Sequence, residues 1–199
     1  MATRSPTETA PNRGRPRSEQ ARRAILKAAT ALATQGGYPA LTIEAVAERA
    51  GVARTTIYRW WANRAVLAID VLVDIGMTAA PPPTSTDSLR AIRLELRRIA
   101  AAASGTAGEL LLALLSESQH DEAVRTALHE RVTYPRREAS MRAVSAAQDR
   151  GELRDDLHPS VVVDLLYGPI FYRLLMGLDA PTERFAEQVF DRVLGGVGM

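Results

Sequence analysis

Apolar residues in the N-terminal third of the chain recur at the spacing of an α-helix. Ile25, Ala29 and Leu32 lie at positions i, i+4 and i+7, which places them on one face of a helix. Ser18 precedes this run and is of a residue type that caps helix N-termini, whereas the glycine pair at positions 36–37 is typical of a helix end. The pattern predicts a first helix that begins at Ser18 and stops at the glycine pair.

Three shorter helices are predicted next. Thr42 is placed to cap a second helix that Gly51 ends, and a third helix runs from about Arg54 to about residue 60. Asn63 is placed to cap a fourth helix that extends to about residue 78.

Residues 79–86, with the sequence AAPPPTST, mark a boundary because consecutive prolines cannot continue a helix. Further helical segments are predicted at about 87–103, 107–118, 121–149, 159–178 and 182–195. Pro135 is expected to kink or split the long third segment. Because no stretch alternates with period two, we expect an all-α fold without a sheet.

Charge is distributed unevenly along the 199 residues, although the formal net charge is only +2. Residues 1–65 carry a net +7 and residues 66–199 a net −5. A basic first third joined to an acidic remainder indicates that the first third meets a polyanion. Chance clustering of solvated charge is the alternative.

The sequence contains no cysteine, and it shows neither the pattern of a secretory signal nor that of a membrane-spanning helix. Zero Cys excludes disulfides, thiolate metal sites and a Cys nucleophile. The first 17 residues have no apolar core of a secretory signal, and the apolar stretch 161–178 is interrupted by charged residues, Gly and Pro. We therefore expect a cytoplasmic protein without a membrane partner.

The stretch 41–67, LTIEAVAERAGVARTTIYRWWANRAVL, fits a helix-turn-helix. Gly51 permits the tight turn between two short helices, and the apolar positions lock the second helix against the first. The side chains left exposed on the second helix are hydrogen-bond donors and flat rings, suited to base edges and phosphates. A helical hairpin without a role in DNA binding is the alternative, but the basic surroundings favour DNA. The exposed set is Arg54, Thr55, Thr56, Tyr58, Arg59 and Trp60.

These residues resemble the DNA-binding domain of TetR-family transcriptional regulators over residues 22–72, and the C-terminal stretch DLLYGPIFYRLL is similar to the ligand-binding half of one TetR subgroup. The Pro, Gly and polar residues of 1–17, which show no apolar period, predict a disordered basic arm. The resemblance implies that a helix-turn-helix DNA-binding domain (18–63), a connecting helix (64–79) and a helical ligand-binding and dimerisation domain (80–199) follow it. It also implies a repressor that binds a palindromic operator as a dimer. An activator and an effector-independent or architectural DNA-binding protein are the alternatives.

The resemblance also assigns roles to individual residues. Thr42, Tyr58 and Arg64 are implied to contact phosphates. The residues implied to face the groove, with Arg54 and Thr55 nearest the bases, are Arg54, Thr55, Thr56, Arg59 and Trp60. Trp61 is expected to be a core residue, whereas Trp60 is either a surface ring or a DNA contact.

Two positions depart from the family pattern. Ala53 stands where the family usually has a capping Ser, which removes a cap worth about 1 kcal/mol. Arg64 replaces the usual Lys, and its guanidinium still reaches phosphate.

The basic arm offers a second mode of contact with DNA. Arg13, Arg15 and Arg17, spaced by Gly and Pro, form a strip that fits a minor groove. A solvated tail is the alternative.

The helix predicted at 160–178 is apolar almost all round, so it must be covered on more than one side. A partner subunit is a natural cover, and the resemblance implies that this helix and the last one pair with their symmetry mates. The expected interface residues are Val163, Leu166, Ile170, Leu174, Phe185, Val189 and Val193.

Several apolar and aromatic residues of the acidic remainder, residues 66–199, either line a ligand cavity or belong to the hydrophobic core. The candidates are Leu111, Leu115, Tyr134, Met141, Tyr167 and Phe171. Because few charges lie near them, we expect a small lipophilic or aromatic effector. The three histidines share no metal-ligand spacing, and neither a Gly-rich phosphate loop nor a nucleophile elbow occurs. We therefore expect no enzyme activity, no metal and no cofactor.

Overall fold

A computed structural model describes residues 15–77 and 88–197, with side chains from residue 18 to 76 and from 88 to 196. These residues form ten α-helices, with one π-helical turn after α4 and another between α7 and α8, and the part described contains no β-strand. The fold is all-α, as the sequence predicts. The helices are α1 (Arg15–Ala40), α2 (Ile43–Ala50), α3 (Arg54–Tyr58), α4 (Arg64–Leu72), α5 (Ser88–Ala103), α6 (Thr106–Ser118), α7 (Glu122–Leu128), α8 (Tyr134–Asp149), α9 (Pro159–Leu175) and α10 (Glu183–Val197). The π-helical turns are Val73–Met77 and His129–Thr133.

Helix α1 begins earlier than the sequence analysis predicts. It starts at Arg15 rather than Ser18, so Arg15 and Arg17 belong to the helix and not to an extended arm. Pro16 is compatible with this start because the N–H groups of a first helical turn have no partner within the helix. The predicted stop is confirmed, since helical geometry breaks at Gly36 and at Gly37, which has φ of 64°.

Helix α4 is the most enclosed helix of the N-terminal half. Seven of its nine residues are buried, and it contacts α1 on one side and α6 and α7 on the other. Asn63 caps it as predicted, with its side-chain oxygen accepting the N–H of Val66 at 2.9 Å. Within the π-helical turn Val73–Met77, helical geometry breaks at Gly76, which has φ of 94°.

Two apolar cores result from this packing. The first, called the N-terminal core, contains buried residues of α1 to α4 together with residues of α6, α7 and the turn that follows α7. The second, called the C-terminal core, joins α5, α8, α9 and α10. The N-terminal core therefore crosses the Pro-rich boundary and unites the helix-turn-helix with part of the acidic domain.

The kink predicted at Pro135 appears as the π-helical turn His129–Thr133 between α7 and α8. Proline has no N–H to donate to the carbonyl of Arg131, and its ring crowds that carbonyl. The helix widens instead, and the N–H of Tyr134 donates to the carbonyl of His129, five residues earlier. The turn lies beside α4.

The burial of α9 corrects the expected dimer residues. Val163, Leu166 and Ile170 are buried in the C-terminal core of their own chain, so they cannot form an open face for a partner. Because α9 is apolar almost all round, periodicity alone could not distinguish its inner face from its outer one. Among the other candidates, Val189 is buried, whereas Leu174, Phe185 and Val193 are half-buried.

The outer face of α9 is also apolar. Val161, Leu165, Tyr172 and Met176 are all exposed and recur at intervals of four and seven residues, which aligns them along one side of the helix. These four residues are called the α9 outer stripe. Scattered exposed apolar residues are ordinary, but an aligned set indicates a contact surface.

No single helix among the described residues is long and apolar enough to cross a membrane. Helices α5 and α6 taken together are long and apolar enough for a membrane span, but the chain bends by 80° between them.

Candidate nucleic-acid interface and internal cavity

The turn between α2 and α3 is built as the sequence predicts. Gly51 has φ of 66°, a left-handed conformation that side chains with a Cβ rarely adopt. Its N–H donates to the carbonyl of Glu48 at 3.2 Å, and the N–H of Val52 donates to the carbonyl of Ala47 at 3.0 Å. Ile57 of α3 is fully buried, so α3 is fixed against α2 by one face only.

The surface of α3 away from Ile57, together with the two residues that follow α3, is exposed to solvent. Tyr58 and Trp60 are 53% and 38% exposed although both are large and apolar. Such exposure leaves aromatic rings and hydrogen-bond donors available on one surface. The exposed residues are Arg54, Thr55, Tyr58, Arg59 and Trp60, and Thr56 is half-buried beside them.

Arg54 is held at the start of α3 by an ion pair. Its Nη1 donates to Oε1 of Glu44 on α2 at 2.8 Å, and both side chains are exposed. A backbone hydrogen bond and then this bond from Arg54 lower the pKa of Glu44, so the carboxylate stays charged. Exposed ion pairs contribute little to stability, so Arg54 can exchange Glu44 for another acceptor at little cost.

The helix caps differ between α2 and α3. The Thr42 hydroxyl oxygen accepts the N–H of Ala45 at 3.1 Å, and the hydroxyl hydrogen is a donor that this cap does not use. Ala53 has the extended backbone of a cap residue but makes no side-chain cap bond. The lost cap that the sequence indicates is therefore confirmed.

Arg64 opens α4 beside an aromatic ring. Its guanidinium carbon lies 4.2 Å from the centre of the Tyr38 ring, a cation–π distance. The Tyr38 hydroxyl in turn donates to Glu117 of α6. Burial and that hydrogen bond raise the pKa of Tyr38 to about 12, so the hydroxyl keeps its proton. Arg64 is thereby held near the surface by a residue that also reaches the acidic domain.

The two tryptophans have different surroundings. Trp61 is buried, as predicted, and its indole Nε1–H donates to Oδ2 of Asp70 on α4 at 2.8 Å. Trp60 lies at the surface with its ring centre 6.5 Å from that of Trp61. Arg22 of α1 places its guanidinium carbon 5.8 and 5.9 Å from the two ring centres. Arg22 and Asp70 were not among the residues predicted from the sequence, although an acidic residue inside the apolar helix α4 was a usable signal.

The candidate arm residues have no described side chains. Arg13 lies outside the described residues, and only the backbone of Arg15 and Arg17 is described. A minor-groove contact by these arginines stays a prediction.

A cavity of about 400 Å³ opens between α6, the turn His129–Thr133, α8 and α9. Four of the six candidate residues line it, namely Leu111, Leu115, Tyr167 and Phe171. Tyr134 and Met141 are not among the lining residues. Tyr134 is exposed, with its ring 5.1 Å from that of His129, and Met141 packs against the C-terminal core.

Charged residues, which the sequence did not predict for the cavity, form part of its wall. Arg136, Arg137 and Asp164 line it together with apolar residues. Arg137 donates to Asp164, and this hydrogen bond lowers the pKa of that carboxyl. Nε of Arg136 lies 3.4 Å from Oε1 of Glu95. The adjacent arginines after Pro135 and the single acid of α9 were signals for this charged end.

The Tyr167 hydroxyl lies 2.9 Å from that of Ser140. Burial raises the pKa of Tyr167 to about 12. The cavity thus combines mostly apolar walls with a few charged and polar side chains, which is typical of a small-molecule site. The described residues contain no group of three or more His, Asp or Glu side chains arranged to hold a metal ion.

Comparison with known proteins agrees with both halves of this architecture. The family model "Bacterial regulatory proteins, tetR family" matches residues 25–71, and "Tetracyclin repressor-like, C-terminal domain" matches residues 83–193. The chain belongs to the TetR family. It is a DNA-binding transcriptional regulator.

The similarity to relatives within the TetR family covers most of the chain. The chain is 34% identical to the uncharacterized HTH-type transcriptional regulator YdeS of Bacillus subtilis, over 93% of each sequence. It is 28% identical to the DNA-binding transcriptional repressor TetR of Mycobacteroides abscessus, over 81% of this chain and 85% of that protein. The crystal structure of the TetR family regulator SCO0332 superposes with a TM-score of 0.72 at 27% identity, covering 90% of this chain and 100% of that one.

Proposed function

We propose that this regulator is a ligand-responsive repressor that binds a two-fold symmetric operator as a homodimer. The observation that carries the proposal is the exposed surface of α3 and of the two residues after it, where five donor or aromatic side chains face solvent while Ile57 fixes α3 against α2. A rigid helix with such a face fits the major groove. The relative named as a DNA-binding repressor supports the same direction of control.

In the proposed complex, Arg54 and Thr55 read base edges from the start of α3, and Thr56, Arg59 and Trp60 complete the groove-facing set. Tyr58, Thr42 and Arg64 contact phosphates on either side of the groove. Arg54 leaves Glu44 to reach a guanine, because a bidentate contact there contributes about 1–3 kcal/mol of discrimination, more than an exposed ion pair does. Arg13, together with Arg15 and Arg17 at the start of α1, contacts the adjacent minor groove.

The proposed dimer forms through the α9 outer stripe. Val161, Leu165, Tyr172 and Met176 are exposed and aligned, and a two-fold axis would bring the same stripe of a second copy against them. The half-buried residues Phe185 and Val193 of α10 extend this surface. Two-fold symmetry of the protein then requires two-fold symmetry of the operator.

The proposed effector is a small lipophilic or aromatic compound that occupies the cavity. Leu111, Leu115 and Phe171 offer apolar walls, while Arg137 and Asp164 offer a polar end. The effector binds more tightly to an arrangement of the dimer in which the two α3 helices cannot both dock on the operator. A tenfold loss of operator affinity needs about 1.4 kcal/mol of such preference.

Two arginine variants test DNA reading on an operator selected from a random duplex library. Arg54→Ala is expected to lower the ratio of cognate to scrambled affinity, since a base contact is lost. Arg64→Ala is expected to weaken both duplexes equally and to reduce the salt slope by about one, since a phosphate contact is lost. Binding is measured by fluorescence anisotropy across a salt series.

Arg142→Ala is the matched control, because Arg142 on α8 has a side chain 61% exposed against 62% for Arg54. It removes one charge without touching α3. An unchanged specificity ratio in Arg54→Ala would refute base reading by that residue.

The dimer surface is tested with Leu165→Arg. Two opposed guanidinium groups at a two-fold contact are expected to give a folded monomer with at least tenfold weaker operator binding. The control is Leu94→Arg on α5, where the leucine is 48% exposed against 46% for Leu165. Leu166→Arg is expected to unfold the chain instead, since Leu166 is fully buried. Light scattering and circular dichroism provide the readouts, and a dimeric Leu165→Arg protein contradicts the proposed surface.

Effector binding is tested with a panel of straight-chain carboxylates, alcohols and aromatic acids. A true effector raises the melting temperature, by an amount equivalent to about 2.7 kcal/mol at one hundred times its Kd, and it lowers operator affinity. Both effects are expected to disappear in Thr133→Phe, which narrows the cavity from its exposed wall. If no compound produces both effects, an effector-independent regulator becomes the better description.

A further inference from the structure

Asp70 joins three elements that are distant in the sequence. It is the one acidic residue of α4, and its side chain is only 16% exposed. Its Oδ2 accepts the indole N–H of Trp61 at 2.8 Å and lies 3.6 Å from Nη2 of Arg22 on α1. Its Oδ1 accepts from Nη1 of Arg131 at 2.7 Å.

Trp61 connects Asp70 to the DNA-reading helix. The N–H groups of Trp60 and Trp61 donate to the carbonyl of Ile57 at 2.9 and 3.0 Å, so Trp61 directly continues the last turn of α3. Because its indole is bonded to Asp70, the C-terminal end of α3 is tied to one carboxylate on α4. Tyr58, Arg59 and Trp60 are the exposed residues of that end.

Arg131 connects Asp70 to the cavity wall. Arg131 lies in the π-helical turn His129–Thr133, and the next two residues, Val132 and Thr133, line the cavity. The turn exists because Pro135 interrupts the regular helix, and π-helical turns are wider and less regular than α-helix. A ligand that displaces Val132 and Thr133 therefore displaces Arg131 as well.

We propose that Asp70 is the positioning residue through which the cavity wall controls the orientation of α3, a role that rests on the proposed ligand-responsive function. When Arg131 moves away, Asp70 keeps one cation within reach, since Arg22 is 3.6 Å away. Arg22 also lies near both tryptophan rings. An exchange of partners at Asp70 therefore shifts the surroundings of Trp60 and Trp61 together.

The connection from Arg131 through Asp70 to Trp61 is measured on the tryptophan indole signals, in the absence of operator and effector. The chain contains two tryptophans, so a ¹H–¹⁵N spectrum of the full-length protein has two indole signals, and Trp61→Phe assigns them. Arg131→Gln is expected to shift the Trp61 signal and to speed its hydrogen exchange at least threefold. Arg131→Lys retains the charge and is expected to restore most of the protection.

Arg125→Gln is the matched control for Arg131→Gln. Arg125 lies on the adjacent helix α7, its side chain is 41% exposed against 42% for Arg131, and it pairs locally with Glu122. It is expected to leave the Trp61 signal unchanged. Both arginines are exposed enough for the variants to fold, which circular dichroism verifies.

A double-mutant cycle tests transmission from the cavity. Val132→Ala perturbs the cavity wall and is expected to shift the Trp61 indole in the parent protein but not in the Arg131→Gln background. Arg131→Gln is also expected to change affinity for the selected operator at least threefold, whereas Arg125→Gln changes it less than twofold.

An unchanged Trp61 signal in Arg131→Gln would overturn the role of Asp70, even if effectors still release DNA. A shift by Val132→Ala of equal size in both backgrounds would overturn it too. Conversely, a positive cycle together with the absence of any effector would leave the link intact and refute only the ligand-responsive function.

Discussion

The burial of α4 on nearly every side is the constraint on which the rest of the structure depends. Leu67, Ile69 and Leu72 have no accessible surface, and burial of each such side chain contributes about 1.5–3 kcal/mol. Their partners come from α1 on one side and from α6 and α7 on the other. The DNA-binding helices and part of the cavity wall therefore share one core, and neither can move far without repacking α4.

Polar contacts at the edge of this core connect its helices through hydrogen bonds and ion pairs between named side chains. Asp70 connects α4 to α1, to the end of α3 and to the turn His129–Thr133, while Tyr38 connects Arg64 to Glu117 of α6. Apolar contacts tolerate small sliding movements, whereas hydrogen bonds require defined geometry. These few bonds are consequently the contacts most sensitive to a change in the cavity.

Local features were the ones that the sequence predicted well. Thr42, Gly51 and Asn63 act through bonds to residues within five positions, so their roles can be inferred from short patterns. The inner and outer faces of α9 could not be distinguished, because a helix that is apolar all round has no preferred side. Arg131 and Asp70 are 61 residues apart, and only tertiary packing brings them together. Tyr134 and Met141 were placed in the cavity by residue type alone, which says nothing of where a side chain points.

Helix α4 unites the DNA-binding helices and part of the cavity wall in one core, which is expected to open as one cooperative unit. Native-state amide hydrogen exchange across a denaturant series measures the opening free energy of each segment. The shared core predicts that core amides of α1, α4 and α6, including those of Leu67, Leu72 and Leu110, open with one common free energy and one denaturant dependence. If α1 and α4 open together at a lower free energy while α6 stays protected, the two halves fold independently and the account is contradicted.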